Sequence, residues 1–389
     1  MNILIFYHRI PIPTSGGIAR IISSLAMELS KHSHNIWFLI NENNMDEQNQ
    51  NCCLYIDESL DEDSKVAKVV ELCNNYKIDV IINEEPIDIY SMHSVLNRSA
   101  ILCNCKLISC FHNPVVSQVK NIQYRKEFYL QRKKLFLLYK FLSRGFIRFF
   151  LLQLYRLKYY KKYYHIVKES SLVVLLCAGM KRELQLMLGG NIYNSKIIPN
   201  FCSIPKDIIP YKQKTNTIIW CGNTNFDVKR LDVALKVWSY LYKEFSGWKF
   251  LILGDGQNLQ EAKAYAKELN LQNIHFLGRK SPDSFYRDAK LVWVTSAFES
   301  FSLVTLEALS YGCIPVVFNT FPAASELITH GENGFLIPPY DIERFVQVVS
   351  SLMLNESTSA HISESARMSS SRYFPDKVTN KWIEVLNSL

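Results

Sequence analysis

In the stretch SAFESFSLVTLEALSYG, Glu299 and Glu307 stand eight positions apart, separated by a small and apolar run. The preceding LVWVTS ends a strand near Ser296 and the next strand begins near Ile314, so a loop and a helix must lie between them. Ser302 is a good N-cap residue for that helix. Its first free amides, near Leu303 and Val304, then form an anion site that suits a diphosphate. Glu307 lies about one turn further in. A carboxylate there repels phosphate but accepts hydrogen bonds from ribose or sugar hydroxyls. Hydroxyl acceptor, amide donors and hydroxyl acceptor in series match a sugar–diphosphate–ribose chain.

Three other loops offer related chemistry. In PTSGGIARIISSLAMELS, Gly16 and Gly17 follow the first strand and open a helix. They let a ligand approach the backbone closely, or they form a plain glycine turn. In CGNTNFDVKRLDVAL, Gly222 and Asn223 follow a strand, and Lys229 and Arg230 open the next helix. Cations at a helix N-terminus cost a few tenths of a kcal/mol, which a bound anion offsets; two solvated basic residues are the alternative. ILGDGQN carries Gly254 in a Gly-Asp-Gly turn of a common kind.

These loops need elements to position them. A chain of 389 residues exceeds one compact core, and size alone suggests two domains. Short apolar runs (NILIFYH, 35–40, 78–84, 106–112, 171–178, 196–200) alternate with helical patterns such as 18–31 and 65–76. After the proline-bearing linker 201–216 the alternation restarts. Strands are predicted at 217–222, 248–255, 273–278, 291–296, 314–318 and 334–338, with helices at 229–245, 257–269 and 303–311. The pattern predicts an α/β fold of two doubly wound parallel sheets in tandem, with ligands beyond the carboxyl ends of the strands. The opening MNILIFYH reads as a first strand rather than a leader, and no apolar run approaches the ~18–20 residues of a spanning helix. Ten cysteines without paired spacing read as free thiols in a reducing cytoplasm, and Cys103, Cys105, Cys110 and His112 lack the CxxC spacing of a zinc site.

Taken in order, these residues resemble the retaining GT-B glycosyltransferases of glycosyltransferase family 4, also called group 1. The resemblance covers nearly the whole chain. It includes Gly16-Gly17, CFHNP with His112, IIPNF before the linker, Lys229-Arg230, GDG, FLGR, the Glu-x7-Glu pair and ASELITHGENGFLIP. It implies an acceptor-binding domain over 1–203, a nucleotide-sugar-binding domain over 204–371, and a helix over 372–389 returning to the first domain. It implies catalytic roles for Glu299 at the donor sugar, His112 at the transferred sugar and Lys229 at the diphosphate. Donor binding falls to Gly16, Gly17, Gly222, Asn223, Arg230, Gly254, Arg279, Ser302, Leu303 and Glu307, with Arg279 beside the nucleobase and Glu307 on the ribose. The family's phosphate loop has an Arg directly after its glycine. Here Asn223 stands there, so either Arg230 substitutes as the second cation or Lys229 acts alone.

The implied reaction is sugar transfer from a UDP- or GDP-linked donor to a lipid-linked or oligosaccharide acceptor, with retention of anomeric configuration, in capsule, lipopolysaccharide or exopolysaccharide assembly. It needs no metal and no cofactor, because Lys229 and the helix amides stabilise the leaving diphosphate. The one D-x-D, at 61–63, reads as a helix start. Net charge is +8, and Lys120 to Lys168 holds fourteen Lys/Arg against one acid, Glu127. Aromatics interleave with these cations, as in a helix lying on an anionic membrane surface; a core-facing helix pair with a solvated basic face is the alternative. No nucleic-acid motif accompanies the charge. The expected location is cytoplasmic, peripheral on the inner face of the cytoplasmic membrane. Two other functions fit the same fold: a nucleotide-sugar 2-epimerase, and a non-catalytic scaffold of a membrane glycosylation complex.

Overall fold

Runs such as NILIF, VIIN, LVVL and IPVVF are apolar without alternation, which dictates strands buried on both faces. In the computed structural model, which describes residues 1–42, 52–125 and 136–389, they form two all-parallel sheets. The first has the order β3-β2-β1-β4-β5-β6-β7. Its strands are β1 (Asn2–Phe6), β2 (Asn35–Ile40), β3 (Cys53–Tyr55), β4 (Val80–Asn83), β5 (Lys106–Phe111), β6 (Leu172–Leu175) and β7 (Ser195–Ile197). The second has the order β10-β9-β8-β11-β12-β13. It comprises β8 (Thr215–Cys221), β9 (Lys249–Leu253), β10 (Ile274–Gly278), β11 (Ala289–Val294), β12 (Ile314–Phe318) and β13 (Phe335–Ile337). In each sheet the strand order reverses beside the first strand. A ligand crevice is therefore expected past the carboxyl ends of β1 and β4, and of β8 and β11.

Met1–Val115, Leu154–Phe201 and Pro375–Leu389 form one compact unit, and Val116–Gln153 with Cys202–Phe374 form the other. The sequence-based partition at 203 and 371 assigns 116–153 to the first domain, whereas here the described part of that segment groups with the second. The last helix, Pro375–Asn387, returns to the first unit as expected. Val378, Trp382, Val385 and Leu386 enter the core formed by β1, β4 and the helix Gly17–Lys31.

The second unit's core is aromatic. Trp293 packs between Phe250 and Phe345, at centroid distances of 4.8 and 5.5 Å, and Trp238 lies 5.8 Å from Phe250. Each such ring contributes roughly 1.5–3 kcal/mol by burial. Together they fix β8, β9 and β11 beneath the loops that follow them.

Two local expectations change. β3 is a strand that three residues beside a polar run did not announce. Most of that run, 43–51, lies outside the described residues. The helix expected from 229 is Leu231–Leu241, so Lys229 precedes it. The 61–63 acids are a helix start, as read: the Asp61 carboxylate accepts from Ser64 N at 2.9 Å. In the basic segment, 126–135 lies outside the described residues and the remainder forms helices Phe136–Ser143 and Gly145–Glu169. Among the described residues, no helix is long and apolar enough to cross a membrane.

Candidate functional site

The loops after β8 and β9 touch backbone to backbone. Gly222 N donates to Leu253 O at 2.9 Å, and Gly254 N donates to Gly278 O at 2.8 Å. A Cβ on Gly254, whose φ is +153°, would lie 1.8 Å from Gly222 O. Only glycine fits there. Beyond Gly222 the loop folds on its own asparagines. Asn223 Oδ1 accepts from Asn225 N at 3.0 Å, and Asn225 Oδ1 accepts from Asp227 N at 2.7 Å. Phe226 is buried, and its N–H donates to Asn258 Oδ1 at 3.1 Å.

The end of this loop is tied to the end of β11. Ala297 N donates to Val228 O at 2.7 Å. The Thr295 hydroxyl donates to the carbonyls of Lys229 and Arg230, both at 2.9 Å, and accepts from Trp220 Nε1 at 3.0 Å. These bonds carry the Lys229 stem across Gly222 and bring its Nζ to 2.8 Å from Glu299 Oε1. Ser296 Oγ donates to the same carboxylate oxygen at 2.7 Å. The Lys229 side chain is 24% exposed and that of Glu299 11%. Two residues seventy positions apart thus form one half-buried ion pair at the strand-order reversal of this sheet.

The helix Leu303–Ser310 starts beside them, but not as Ser302 was expected to start it. Ser302 is left-handed (φ 64°, ψ 82°), and its hydroxyl bonds to Thr305 Oγ1 at 2.9 Å instead of capping a backbone amide. The first amides of the helix therefore have no side-chain cap, which leaves them suited to an anion. Glu307 is half-buried on this helix. Burial first, and then the Glu307 carboxylate, push the Cys202 thiol up to about 12.

Arg230 differs from its expected role. It is 1% exposed, with Nε 3.0 Å from Asp232 Oδ1 and a terminal nitrogen 2.9 Å from Asp232 Oδ2. A guanidinium so enclosed does not face a ligand as the second phosphate cation. Arg279 is exposed at the end of the edge strand β10. Among the described residues no hydrogen bond joins it to the Lys229–Glu299 pair.

In the first unit the crevice between β1 and β4 holds a pair that sequence reasoning missed. His8 Nδ1 lies 2.7 Å from Glu85 Oε1, and His8 N donates to Glu85 Oε2 at 2.8 Å. Burial raises the Glu85 carboxyl above its usual range, and the His8 hydrogen bonds oppose that shift. His112, at the end of β5, has Nε2 2.6 Å from Oε2 of the buried Glu84. The signal available was Asn-Glu-Glu at the end of a buried strand, where carboxylates need partners. Gly16 caps the helix Gly17–Lys31 at φ +150°, and a Cβ there would meet nothing within 4 Å. Its backbone angle, not space, calls for glycine.

Residues 206–369 match the model of the glycosyl transferases group 1 family. An uncharacterized glycosyltransferase of Haemophilus influenzae is 31% identical over 225 residues, 57% of this chain and 63% of its own length. A poly(glycerol-phosphate) alpha-glucosyltransferase of Bacillus subtilis is 36% identical over 164 residues, 42% of this chain and 24% of its own length. The chain therefore spans less than two thirds of either relative. Among solved structures, Anabaena HepE in complex with UDP superposes with a TM-score of 0.76 at 16% identity, covering all of both chains. The apo form of the lipopolysaccharide outer core galactosyltransferase WaaB gives 0.71 at 17% identity, covering 100% of this chain and 99% of the other. The fold is GT-B.

Proposed function

We propose that this chain, whose residues 206–369 match the model of the glycosyl transferases group 1 family, moves a sugar from a nucleotide-sugar donor to a glycan acceptor in surface polysaccharide assembly. The Lys229–Glu299 pair beside an uncapped helix N-terminus carries the reading. When the donor binds, the diphosphate lies against the free amides of Ser302 and Leu303, and the Lys229 ammonium turns from Glu299 toward it. Glu299, held by Ser296, accepts from donor sugar hydroxyls near the reacting carbon. Glu307 accepts from the ribose. His112, fixed by Glu84, and the Gly16-Gly17 turn serve the transferred sugar and its acceptor.

Charge that develops on the leaving diphosphate is met by preorganised donors, so a divalent cation is not needed. The acceptor attacks on the face the leaving group vacates, and anomeric configuration is retained. Similarity to a poly(glycerol-phosphate) alpha-glucosyltransferase and to a lipopolysaccharide 1,6-galactosyltransferase of Salmonella typhimurium favours transfer over 2-epimerisation.

The test is calorimetry with UDP- and GDP-sugars in EDTA. The wild-type chain is expected to bind one of them, and Glu307→Ala to weaken that binding by about 10–150-fold, the worth of hydrogen bonds to a charged group. Unchanged affinity in the variant would remove the ribose assignment.

The acceptor is proposed to be lipid-linked and reached from the inner face of the cytoplasmic membrane. Phe146, Phe149 and Phe150 are 64%, 64% and 59% exposed on the helix Gly145–Glu169, with Arg144 exposed just before it. Rings that enter the lipid interface beside cations that meet anionic headgroups fit this pattern. Replacing the three rings with serine is expected to abolish sedimentation with phosphatidylglycerol vesicles. Persistent sedimentation would defeat the assignment.

A further inference from the structure

Arg230 has a left-handed backbone (φ 52°, ψ 48°), a conformation that L side chains rarely adopt. Something must hold an arginine there, and the structure shows what does. Besides the two bonds to Asp232, the guanidinium donates to the carbonyl of Tyr124 and lies over the Tyr340 ring, 4.7 Å from its centroid. Tyr340 is itself left-handed (φ 60°). Its ring stacks on Tyr124 at 4.3 Å and on Phe318 at 4.9 Å, and its hydroxyl donates to Thr295 O at 3.2 Å. Three residues before Tyr124, Asn121 donates to Ala297 O at 2.8 Å and to Thr320 O at 2.7 Å.

These contacts converge on one short piece of backbone. The Thr295 hydroxyl and Ala297 N hold the carbonyls of Val228, Lys229 and Arg230 from the β11 side. The Arg230 side chain and the Tyr124–Tyr340 stack hold the following residue through its guanidinium. Lys229 sits between, with its own carbonyl and those of both neighbours hydrogen-bonded. Non-glycine residues in the left-handed region cluster where a site must be held in one geometry. Here Arg230, Tyr340 and Ser302 all adopt it around the Lys229–Glu299 pair.

We propose that Arg230 is a positioning residue, and that the segment Asn121–Tyr124 is a buckle which, through Arg230 and Tyr340, fixes the backbone of Lys229 so that its ammonium meets the donor's diphosphate. The role rests on the glycosyl-transfer reading, whereas the mechanical coupling does not. Arg230 touches no substrate, and the buckle comes from a part of the chain with no other assigned part in donor binding. The arrangement also explains an arginine at a position whose backbone favours glycine or asparagine: the side chain is retained for its contacts, not for its charge toward the ligand.

The experiment compares Tyr124→Ala, Tyr124→Phe, Asn121→Ala and Arg230→Gly with the wild-type chain in two measurements. The first is the rate at which an amine-acylating reagent labels Lys229, read by mass spectrometry, with the exposed Lys249 as internal reference. Labelling is expected to rise several-fold in Tyr124→Ala, Asn121→Ala and Arg230→Gly, and to stay at the wild-type value in Tyr124→Phe, which keeps the stack. The second is turnover of the nucleotide sugar. In the same three variants kcat should fall by about tenfold or more with a smaller change in KM, because misplacing a charge-stabilising group costs the transition state more than the ground state. Wild-type labelling in all variants overturns the buckle, as does a lowered Tm with kcat per folded molecule unchanged. If the wild-type chain turns over no nucleotide sugar, the functional reading fails while the labelling still decides the coupling.

Discussion

Replacing Lys229 with methionine is expected to lower kcat by about 10²–10³-fold, the usual effect of removing one preorganised donor from a site where anionic charge develops. Methionine keeps most of the apolar stem, which lies across Gly222, and removes only the ammonium. The pair with Glu299 is only partly buried, so its loss costs stability about 0–1 kcal/mol at most. Tm should hardly move. Large kinetic loss at nearly constant stability is the signature that separates a catalytic lysine from a structural one. Steady-state release of nucleoside diphosphate gives kcat and KM, and a thermal melt gives Tm; a variant within threefold of wild-type kcat would sink the role. Glu299→Gln should act on the same pair, so the double variant is expected to lose much less than the product of the two single losses.

What the sequence made legible, and what it hid, follows from the range of the interactions. Runs as short as VIIN and IPVVF, continuous and flanked by turns, read as strands buried on both faces, so the two parallel sheets could be read directly. Loops just past those strands are where a ligand is expected in such sheets, which made Glu299, Glu307, Lys229 and His112 the candidates. The pairing of Lys229 with Glu299 was not legible, because it depends on Thr295 and Ala297 capturing three carbonyls from across the sheet. Arg230 was misread for the same reason. Its basic neighbour and its place before a helix suggested a ligand-facing cation, while beside the nearby Asp232 it is enclosed by Tyr124 and Tyr340 from two distant segments. Ser302 was assigned from a residue preference alone, and that preference does not apply once the backbone is left-handed. His8–Glu85 was hidden by distance: the two residues are adjacent only because β1 and β4 are neighbours across the strand-order reversal.

The second large effect is a stability change that also removes the site. Gly254→Ala should destabilise the chain by several kcal/mol and leave no measurable donor binding. Two penalties add at this position. The backbone sits at φ +153°, which is open to glycine and strained for alanine. The new methyl would also stand 1.8 Å from Gly222 O, a main-chain atom that cannot rotate away. Relief requires the loops after β8 and β9 to part, which breaks the Gly222 N to Leu253 O bond and lifts the surface over which Lys229 runs. Gly16→Ala provides the calibration. It has a similar positive φ, +150°, but nothing within 4 Å of the added carbon, so it isolates the backbone term, about 1 kcal/mol. The excess of Gly254→Ala over Gly16→Ala in denaturant unfolding therefore measures the clash alone. Equal losses at the two positions, or retained nucleotide-sugar affinity in Gly254→Ala, would mean that the loops stand apart in solution and that their contact does not shape the diphosphate site.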